Sequence, residues 1–380
     1  MTINRLVISP TLPLIMEDFN LTYAEAGFFV GTFFYGYMAM QIPAGLIGDR
    51  IGNKKVLLIG TYVWSIFALF TGLARSAVQL FSLRVGMALG QGSYFSNDRA
   101  LISTSAPKEA TGLSHGLSFL GTGIGYSLGI LLGGFLAESV GWRYTFIALA
   151  LPGFIVGLLL WKGIHSPQRK SPSRISGGLR RSLLNRDLWI LSIASMILNY
   201  SFWVLLVWSP TILVEQGSVQ LSFAAVLASG AGFASVPGLL LFGFLGDYSA
   251  KKGKGRKLVI LVGFVGVSLM MTLLGLELQT GRQLSLMVVY LFLAAFFNWG
   301  LWPSIFAMAG KMAPEEHQSL NFGILNTVTF VSAVIAPWAT GIVRDLTGVF
   351  SPALYVTAVV TAVGVLFTML MRPALRFSNN

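Results

Sequence analysis

A few polar side chains within long apolar stretches carry most of the chemical information in this sequence. Arg5 and Arg84 both lie in such stretches, and a cationic side chain in a bilayer interior costs from about 2.5 to more than 10 kcal/mol. A guanidinium group offers a rigid fork of N–H donors that matches a carboxylate or a phosphate. Two such groups in one cavity would carry excess positive charge, which favours binding of a small anion. The alternative for Arg84 is a side chain that extends to the membrane surface.

Arg84, Gln91 and Asp98 follow one another at intervals of seven residues. A helix through them places all three side chains within about 40° of one another on one face. Burial raises the pKa of a carboxyl group and a nearby cation lowers it, so Asp98 is a candidate for proton coupling. The alternative is a permanently ionised Asp98 that pairs with Arg99 or with an arginine from another helix.

The elements that position these residues must be membrane helices. The sequence is 54% apolar and 11% charged, with 28 Phe among 380 residues, a composition that cannot be folded as a soluble globule without large exposed apolar patches. A membrane-spanning helix needs about 20 mostly apolar residues. We therefore predict an all-α integral membrane protein with twelve helical segments, the first of them short and truncated. The segments lie near 5–17, 25–48, 56–74, 78–104, 112–137, 145–161, 188–213, 222–246, 258–277, 284–310, 321–343 and 352–371.

Basic residues are distributed unequally between the predicted loops. If the loop with Asp49 is cytoplasmic, nineteen Lys and Arg residues fall on that side and four on the other. This bias predicts that the C-terminus lies in the cytoplasm. We expect a multi-pass protein of the cytoplasmic membrane of a prokaryote. The net charge of +12 then reflects topology, and we expect contacts with membrane lipids but no nucleic-acid partner.

A polar stretch with several basic residues, 162–187, divides the chain. We predict an N-terminal six-helix bundle at 1–161, a cytoplasmic basic linker at 162–187, and a C-terminal six-helix bundle at 188–380. The linker is either a solvated tether or an amphipathic strap on anionic lipid, and its thin apolar face favours the tether.

Three separate segments of the two halves align with one constant offset of 207 residues. The pairs are Ala106–Glu109 with Ala313–Glu316, Gly116 with Gly323, and Gly134–Gly141 with Gly341–Gly348. An internal repeat of six helices is typical of transporters that hold their solute between two rocking bundles.

The loop after the second predicted segment contains a motif that recurs in degenerate form around Gly243 and Asp247. Its residues are Gly45, Asp49, Arg50, Gly52, Lys54 and Lys55. A glycine allows close helix packing, and a carboxylate at a helix end can hold a facing helix N-terminus or an arginine. Any charged turn between membrane helices could contain such residues, but the repeat favours a functional motif.

This loop resembles the G-x-x-x-D-[RK]-x-G-x-[KR]-[KR] pattern of the major facilitator superfamily. The resemblance covers the whole chain and implies a twelve-helix fold of two pseudo-symmetric bundles that transports by alternating access. It also implies that Asp49, Arg50 and Asp247 hold the inward gate.

The first half further resembles the anion:cation symporter group, which includes hexuronate, galactonate, phthalate and sialin-like carriers. The matching residues are Arg5, Ser9 and Pro13, Tyr37 with Gln41, Pro43 and Gly45, Arg84 with Gly92, Gly141–Arg143 with Phe146, and Trp208 with Pro210. The resemblance implies that Arg5, Arg84, Gln91 and Tyr37 contact a small anionic solute. Asn4 and Gln91 stand where the group has an Asp and a Glu, and an amide cannot exchange a proton near neutral pH. Proton symport and anion exchange therefore both stay open.

Neutral polar and aromatic residues lie in the apolar segments of the second half. The candidates for solute contact are Asn199, Tyr200, Asn298, Trp299 and Asn326. Together with positive charge from the first half, they suit a sugar acid or another hydroxylated carboxylate. Helix-to-helix packing explains any one of them equally well, because Asn and Thr also form interhelical hydrogen bonds.

Other classes of function fit poorly. The chain has no Cys and three His, none of them in metal-ligand spacing with another, so we predict no enzyme, no metal and no cofactor. A phosphate-binding loop of the G-x-x-x-x-G-K-[ST] type is absent from the sequence, which argues against ATP-driven transport. An organophosphate, phosphate or drug-type antiporter of the same superfamily is the alternative within the class, and a non-transporting sensor or scaffold is the alternative outside it. We expect a monomer.

The absence of native Cys permits a direct test of the topology. In Gln168→Cys, within the predicted linker, we expect an impermeant maleimide to label the protein only after the cells are opened. In Ser76→Cys, next to Arg75 on the opposite side, it should label intact cells. Labelling of Gln168→Cys in intact cells would reverse the predicted orientation.

Overall fold

The computed structural model describes residues 1–95, 97–98, 101, 111–163, 184–252, 255–280, 283–312 and 318–371. Side chains at 42, 45, 46, 49, 50, 111–120, 310, 311 and 318–323 lie outside the description. Within these ranges all regular secondary structure is helical. The helices of the first half are α1 Thr2–Leu6, α2 Ile8–Phe19, α3 Tyr23–Ile51, α4 Asn53–Thr71, α5 Ala77–Gly92 and α6 Thr111–Gly163. Those of the second half are α7 Arg186–Gly217, α8 Leu221–Phe233, α9 Ser235–Lys251, α10 Lys257–Thr280, α11 Leu284–Lys311, α12 Gln318–Thr347 and α13 Ser351–Leu370.

The predicted membrane segments correspond to these helices. Among the described residues, eight helical stretches are long and apolar enough to cross a membrane. One of them, Gly121–Gly163, has 43 residues and contains a non-helical residue, Gly141, so it joins the two segments predicted at 112–137 and 145–161. The fold is an all-α integral membrane fold, as predicted.

Two predicted segments are each divided into two helices, and both divisions precede a proline. Val7 separates α1 from α2, and Ala234 separates α8 from α9. Pro10 and Pro237 have no N–H to donate to the carbonyl four residues earlier, at Leu6 and Phe233, the last residues of α1 and α8. The backbone at both divisions stays right-handed helical, so each pair of helices continues in nearly the same direction.

The chain divides into two compact units. One contains Met1–Ser173 with Ser218–Ser229, and the other contains Arg174–Gly217 with Gly230–Asn380. The start of α8 belongs to the first unit because it packs on α6: the Ser222 N–H donates to the Glu138 carboxylate at 2.6 Å. The predicted domains 1–161 and 188–380 with their linker differ from this division at 218–229, and their boundaries stay a prediction.

The two units repeat the same pattern of helix pairs. In the first unit, α5 packs on α3 and α4, and α6 packs on α1 and α2 before Gly141 and on α4 after it. In the second unit, α11 packs on α9 and α10, α12 packs on α7, and α13 packs on α10. Each of these pairs in one unit has its counterpart in the other, which supports the repeat that the offset of 207 residues predicts.

Turns with a left-handed glycine also recur in both units. Gly141 has φ +81° and Gly348 has φ +75°, and these two positions are 207 residues apart. Gly52, in the predicted gating loop, has φ +99°, and Gly255, after the second copy of the motif, has φ +68°. A residue with a Cβ is disfavoured at such φ values, so these turns require glycine.

A lysine holds the end of the last helix in each unit. Lys54, at the start of α4, donates its Nζ to the Trp161 carbonyl in the last turn of α6 at 2.7 Å. Lys257, at the start of α10, donates to the carbonyls of Met369 and Met371 at the end of α13, at 2.6 and 3.0 Å. The last carbonyls of a helix have no partner within the helix and carry partial negative charge, so a lysine stabilises both helix ends.

The α4–α5 crossing depends on glycine. A Cβ at Gly90 would lie 2.6 Å from the Trp64 nitrogen and 2.8 Å from the Gly60 oxygen, whereas a Cβ at Gly230 in α8 would meet no described atom within 4 Å. Close backbone approach at small residues is a main source of helix association in membranes.

We expect Gly90→Ala to lower the free energy of unfolding by about 1–3 kcal/mol, because the added methyl group forces α4 and α5 apart. The matched variant Gly230→Ala should leave stability unchanged or slightly higher, because alanine favours a helix. Thermal unfolding of the detergent-purified protein measures the difference. Equal melting temperatures for the two variants would contradict the close crossing.

Candidate functional site

Arg84 lies in the interior of the first unit. Its side chain is 1% exposed. It therefore does not extend to the membrane surface, which was the alternative interpretation of this residue in the sequence. Its Nη1 donates to the Asn4 carbonyl at 3.4 Å and its Nη2 to the Arg5 carbonyl at 3.5 Å. Both bonds are long, and the buried Nε has no hydrogen-bond partner among the described residues. Arg84 therefore retains unused donor capacity.

Arg5 and Gln91 lie beside Arg84. Arg5 is half-buried, and its Nε donates to Gln91 Oε1 at 3.2 Å. Gln91 is fully buried and donates its Nε2 to the Met1 carbonyl at 3.4 Å. The Nη2 of Arg5 is buried with no partner in the described part of the chain. The structure thus brings together four residues that the sequence analysis singled out: Asn4, Arg5, Arg84 and Gln91. The first two lie on α1 and the other two on α5.

Aromatic rings from α3 surround the two guanidinium groups. The Cζ of Arg5 lies 4.5 Å from the centre of the Tyr37 ring and 5.2 Å from that of Phe33. The Cζ of Arg84 lies 5.1 Å from the Phe33 ring centre, so this one ring contacts both cations. A cation over an aromatic face gains about 0.5–2 kcal/mol. The rings therefore stabilise the guanidinium groups without neutralising them.

Phe33 was not among the predicted site residues. A usable signal exists in the sequence, because Phe33 precedes Tyr37 by four residues and residues at that spacing share a helix face. The two rings stack with centres 6.1 Å apart. An aromatic residue one turn before a selected tyrosine, in a segment expected to face a cationic site, would have identified it.

Neither arginine pairs with a carboxylate among the described residues. The ion pairs there involve other arginines: Arg143 with Asp18 at 2.5 Å, Arg344 with Glu215 at 3.1 Å, and Arg256 with Asp247. Two buried or half-buried cations without an acidic partner leave the interior of the first unit with excess positive charge. This arrangement can accept an anion.

Asp98 continues the stripe of Arg84 and Gln91 beyond the end of α5. It is helical and partly exposed, and it interacts with its surroundings. Arg99, which the sequence proposed as its partner, lies outside the described residues. The assignment of Asp98 as a proton carrier stays a prediction.

The predicted gating motif is described only in part. The side chains of Gly45, Asp49 and Arg50 lie outside the described residues. Gly52 forms the turn between α3 and α4, and Lys55 is exposed.

In the second copy of the motif, Asp247 accepts a hydrogen bond from Arg256, and both belong to the same unit. Lys54 also bonds within its own unit, to Trp161. These contacts show where the two side chains bind, and the gating role stays a prediction.

Two predicted polar residues of the second unit hold α7 to its neighbours. Asn199 Nδ2 donates to the Thr329 carbonyl at 3.2 Å and to Ser332 Oγ at 3.0 Å, on α12. Asn298 Nδ2, on α11, donates to the Leu198 carbonyl at 3.0 Å and to Ser201 Oγ at 2.9 Å. Both amide groups therefore form interhelical hydrogen bonds, the packing role that the sequence left open. Of the two amide oxygens, that of Asn298 is buried without a hydrogen-bond partner among the described residues.

The remaining candidates of the second unit differ in environment. Tyr200 is buried next to Asn199. Trp299 packs edge-on against Phe202, with ring centres 5.3 Å apart. Asn326 is partly exposed on α12. They do not converge on one described contact as the residues of the first unit do.

Comparison with known proteins agrees with this fold. The model of the Major Facilitator Superfamily matches residues 1–275 and 218–379. A probable sulfoacetate transporter of Cupriavidus necator is 26% identical over 98% of this chain and 91% of its own length. The hexuronate transporter of Bacillus subtilis is 24% identical over 92% of this chain and 86% of its own. The D-galactonate transporter of Escherichia coli is also 24% identical, over 94% of this chain and 89% of its own.

Solved structures resemble the chain over almost its full length. A bacterial homologue of the human lysosomal transporter Spinster superposes with a TM-score of 0.83, at 19% identity, over 97% of this chain and 93% of its own. A D-xylose–proton symporter superposes with a TM-score of 0.78, at 17% identity, over 97% of this chain and 94% of its own. With its fold, its internal repeat and its family model in agreement, the chain belongs to the Major Facilitator Superfamily and is a membrane transporter, not an enzyme.

Proposed function

We propose that this transporter carries a small organic anion, such as a sugar acid or another carboxylate, by alternating access. The observation that carries the proposal is the pair Arg5 and Arg84, which lie together in the first unit with unused donors and no acidic partner among the described residues. Transporters named for hexuronate, D-galactonate and sulfoacetate are among its relatives, and each of those solutes bears a carboxylate.

The donors of the site define the chemistry of the proposed solute. Arg5 Nη2 and Arg84 Nε are available to oxygen atoms of a carboxylate, and a hydrogen bond to a charged group contributes about 1.5–3 kcal/mol. A phosphate would also fit the guanidinium groups, so an organophosphate carrier is the second candidate.

The coupling mode that these contacts favour is exchange of one anion for another. Arg5 contacts the amide of Gln91 at 3.2 Å, and an amide cannot take up a proton near neutral pH. The two cations would then need a counter-anion each time the empty site crosses the membrane. Proton symport is the alternative, and Asp98 is its candidate because it lies on the same stripe.

We further propose that Asp49, Arg50 and Asp247 hold the inward gate, and that the protein is a monomer in the cytoplasmic membrane with its C-terminus in the cytoplasm. The positive-inside bias supports the orientation. The recurrence of Gly52 at Gly255 in the loop of each unit supports a paired role for the two copies of the motif.

Replacing Arg84 tests the proposed site. We expect Arg84→Lys to lower hexuronate or galactonate uptake by about 10- to 100-fold, because lysine keeps the charge but loses one charge-assisted bond of the guanidinium fork. The control is Arg186→Lys, at an exposed position outside the site, which should retain full uptake. Unchanged binding and uptake in Arg84→Ala for every accepted anion would refute the assignment.

Uptake into proteoliposomes tests the coupling mode. The assay uses labelled sugar acids, dicarboxylates and phosphate esters, with and without trapped internal anion and with and without an inward proton gradient. We expect uptake to require internal anion and to proceed without the gradient. Uptake that requires the gradient and loses its pH dependence in Asp98→Asn would establish symport. Binding without any flux would instead identify a sensor or scaffold.

A further inference from the structure

A groove of about 410 Å³ lies where the chain turns from α4 into α5. Its lining residues are Phe70, Leu73, Ala74, Val78, Gln79, Ser82 and Leu83. Phe70, Leu73 and Val78 are exposed, Val78 to 72%. The groove is therefore an open, mostly apolar surface at one end of two membrane helices, and none of its lining residues belongs to the arginine site of the first unit.

The two polar side chains of the lining are used within the turn itself. Gln79 Oε1 accepts a hydrogen bond from the Arg75 backbone N–H at 2.9 Å. Ser82 Oγ donates to the Val78 carbonyl at 2.9 Å. The lining therefore offers no unused polar side chain to the hydroxyl groups of a sugar acid. A hydrocarbon chain would bury apolar surface and leave no polar group unpaired.

Two arginines lie at the mouth of the groove. Arg75 is exposed in the turn and has no ion pair among the described residues. Arg143 donates its Nη2 to the carbonyl of Ala74, a lining residue, at 3.3 Å, and its Nη1 to Asp18 at 2.5 Å. Two arginines and one aspartate give this mouth a net charge of +1, which one monoanionic headgroup balances.

The groove extends from the level of the headgroups toward the hydrocarbon, as a phospholipid does. The turn at 72–76 joins two membrane helices, so it lies at the level of the headgroups, and the groove descends from it along α5 toward the hydrocarbon. The predicted orientation places this turn on the side of the membrane opposite the cytoplasm. Arginines there attract an anionic headgroup by the same electrostatics that give each basic residue about 1 kcal/mol at the cytoplasmic leaflet. We propose that the groove binds one anionic phospholipid, with an acyl chain against Leu73 and Val78 and the phosphate at Arg75 and Arg143.

Native mass spectrometry of the whole protein in detergent tests this proposal. The probes are phosphatidylglycerol and phosphatidylethanolamine with identical acyl chains, mixed in equal amounts. The variants are Arg75→Gln, which removes the unpaired charge, and Ser82→Trp, which fills the groove. The matched controls are Lys251→Gln, at an exposed position that also loses one charge, and Ser139→Trp, at an exposed serine of α6.

We expect one retained phosphatidylglycerol per chain in the wild type and in both controls. Arg75→Gln should lower the preference for phosphatidylglycerol over phosphatidylethanolamine by about fivefold, and Ser82→Trp should remove the bound lipid. Equal adducts in all five proteins would overturn the proposal, as would a dimer whose interface excludes lipid. Glycerol 3-phosphate that binds as tightly as phosphatidylglycerol would also overturn it, because the acyl chain in the groove would then contribute nothing.

Discussion

The lack of water in the bilayer interior is the constraint on which the rest of this structure depends. A polar group there must find its partner within the protein. Many serine and threonine side chains of the helices meet it locally, as Thr61 does by donating to the Leu57 carbonyl at 2.7 Å. Asn199 and Asn298 meet it between helices. Arg5 and Arg84 meet it only in part, because backbone carbonyls, an amide and aromatic rings approach them but no described carboxylate does. The lack of a carboxylate partner among the described residues is what separates these two cations from Arg143, Arg256 and Arg344.

The internal repeat uses the same physical devices twice. Each unit places glycines of positive φ at two equivalent turns. Counted as membrane segments, the third and fourth helices of each unit also pack together at small residues, as α4 and α5 do in the first unit. The units differ where function is expected, since the first contains the arginines and the second contains neutral amides. Duplication thus preserved the scaffold, whereas the two arginines of the candidate site lie in the first unit. This asymmetry explains why the two halves align through glycine and proline rather than through the polar residues of the candidate site.

The sequence predicts the helices well because length and hydropathy alone determine which segments can cross a membrane. It also selects Arg5, Arg84 and Gln91, whose polar atoms stand out against an apolar background. It does not predict Phe33 directly, because the spacing of four residues from Tyr37 indicates a shared helix face but not which aromatic ring on that face meets a cation. The divisions near Val7 and Ala234 also escape a hydropathy pattern, although each follows from a proline three residues later. The role of Asn199 and Asn298 required the structure, because an amide that binds a solute and one that bridges helices look alike in sequence.

The lysines at the helix ends have a consequence for how the chain could be divided. Lys54 and Lys257 anchor the final turns of α6 and α13 from within the same unit. The end of each half is therefore secured by a side chain that is synthesised earlier, three helices upstream in the superfamily fold. The end of α6 is therefore fixed by a hydrogen bond from Lys54, not by its connection to the chain beyond Gly163. A division of the chain in the linker would therefore leave each half with the lysine that fixes its last helix, but it would separate 218–229 from the first unit.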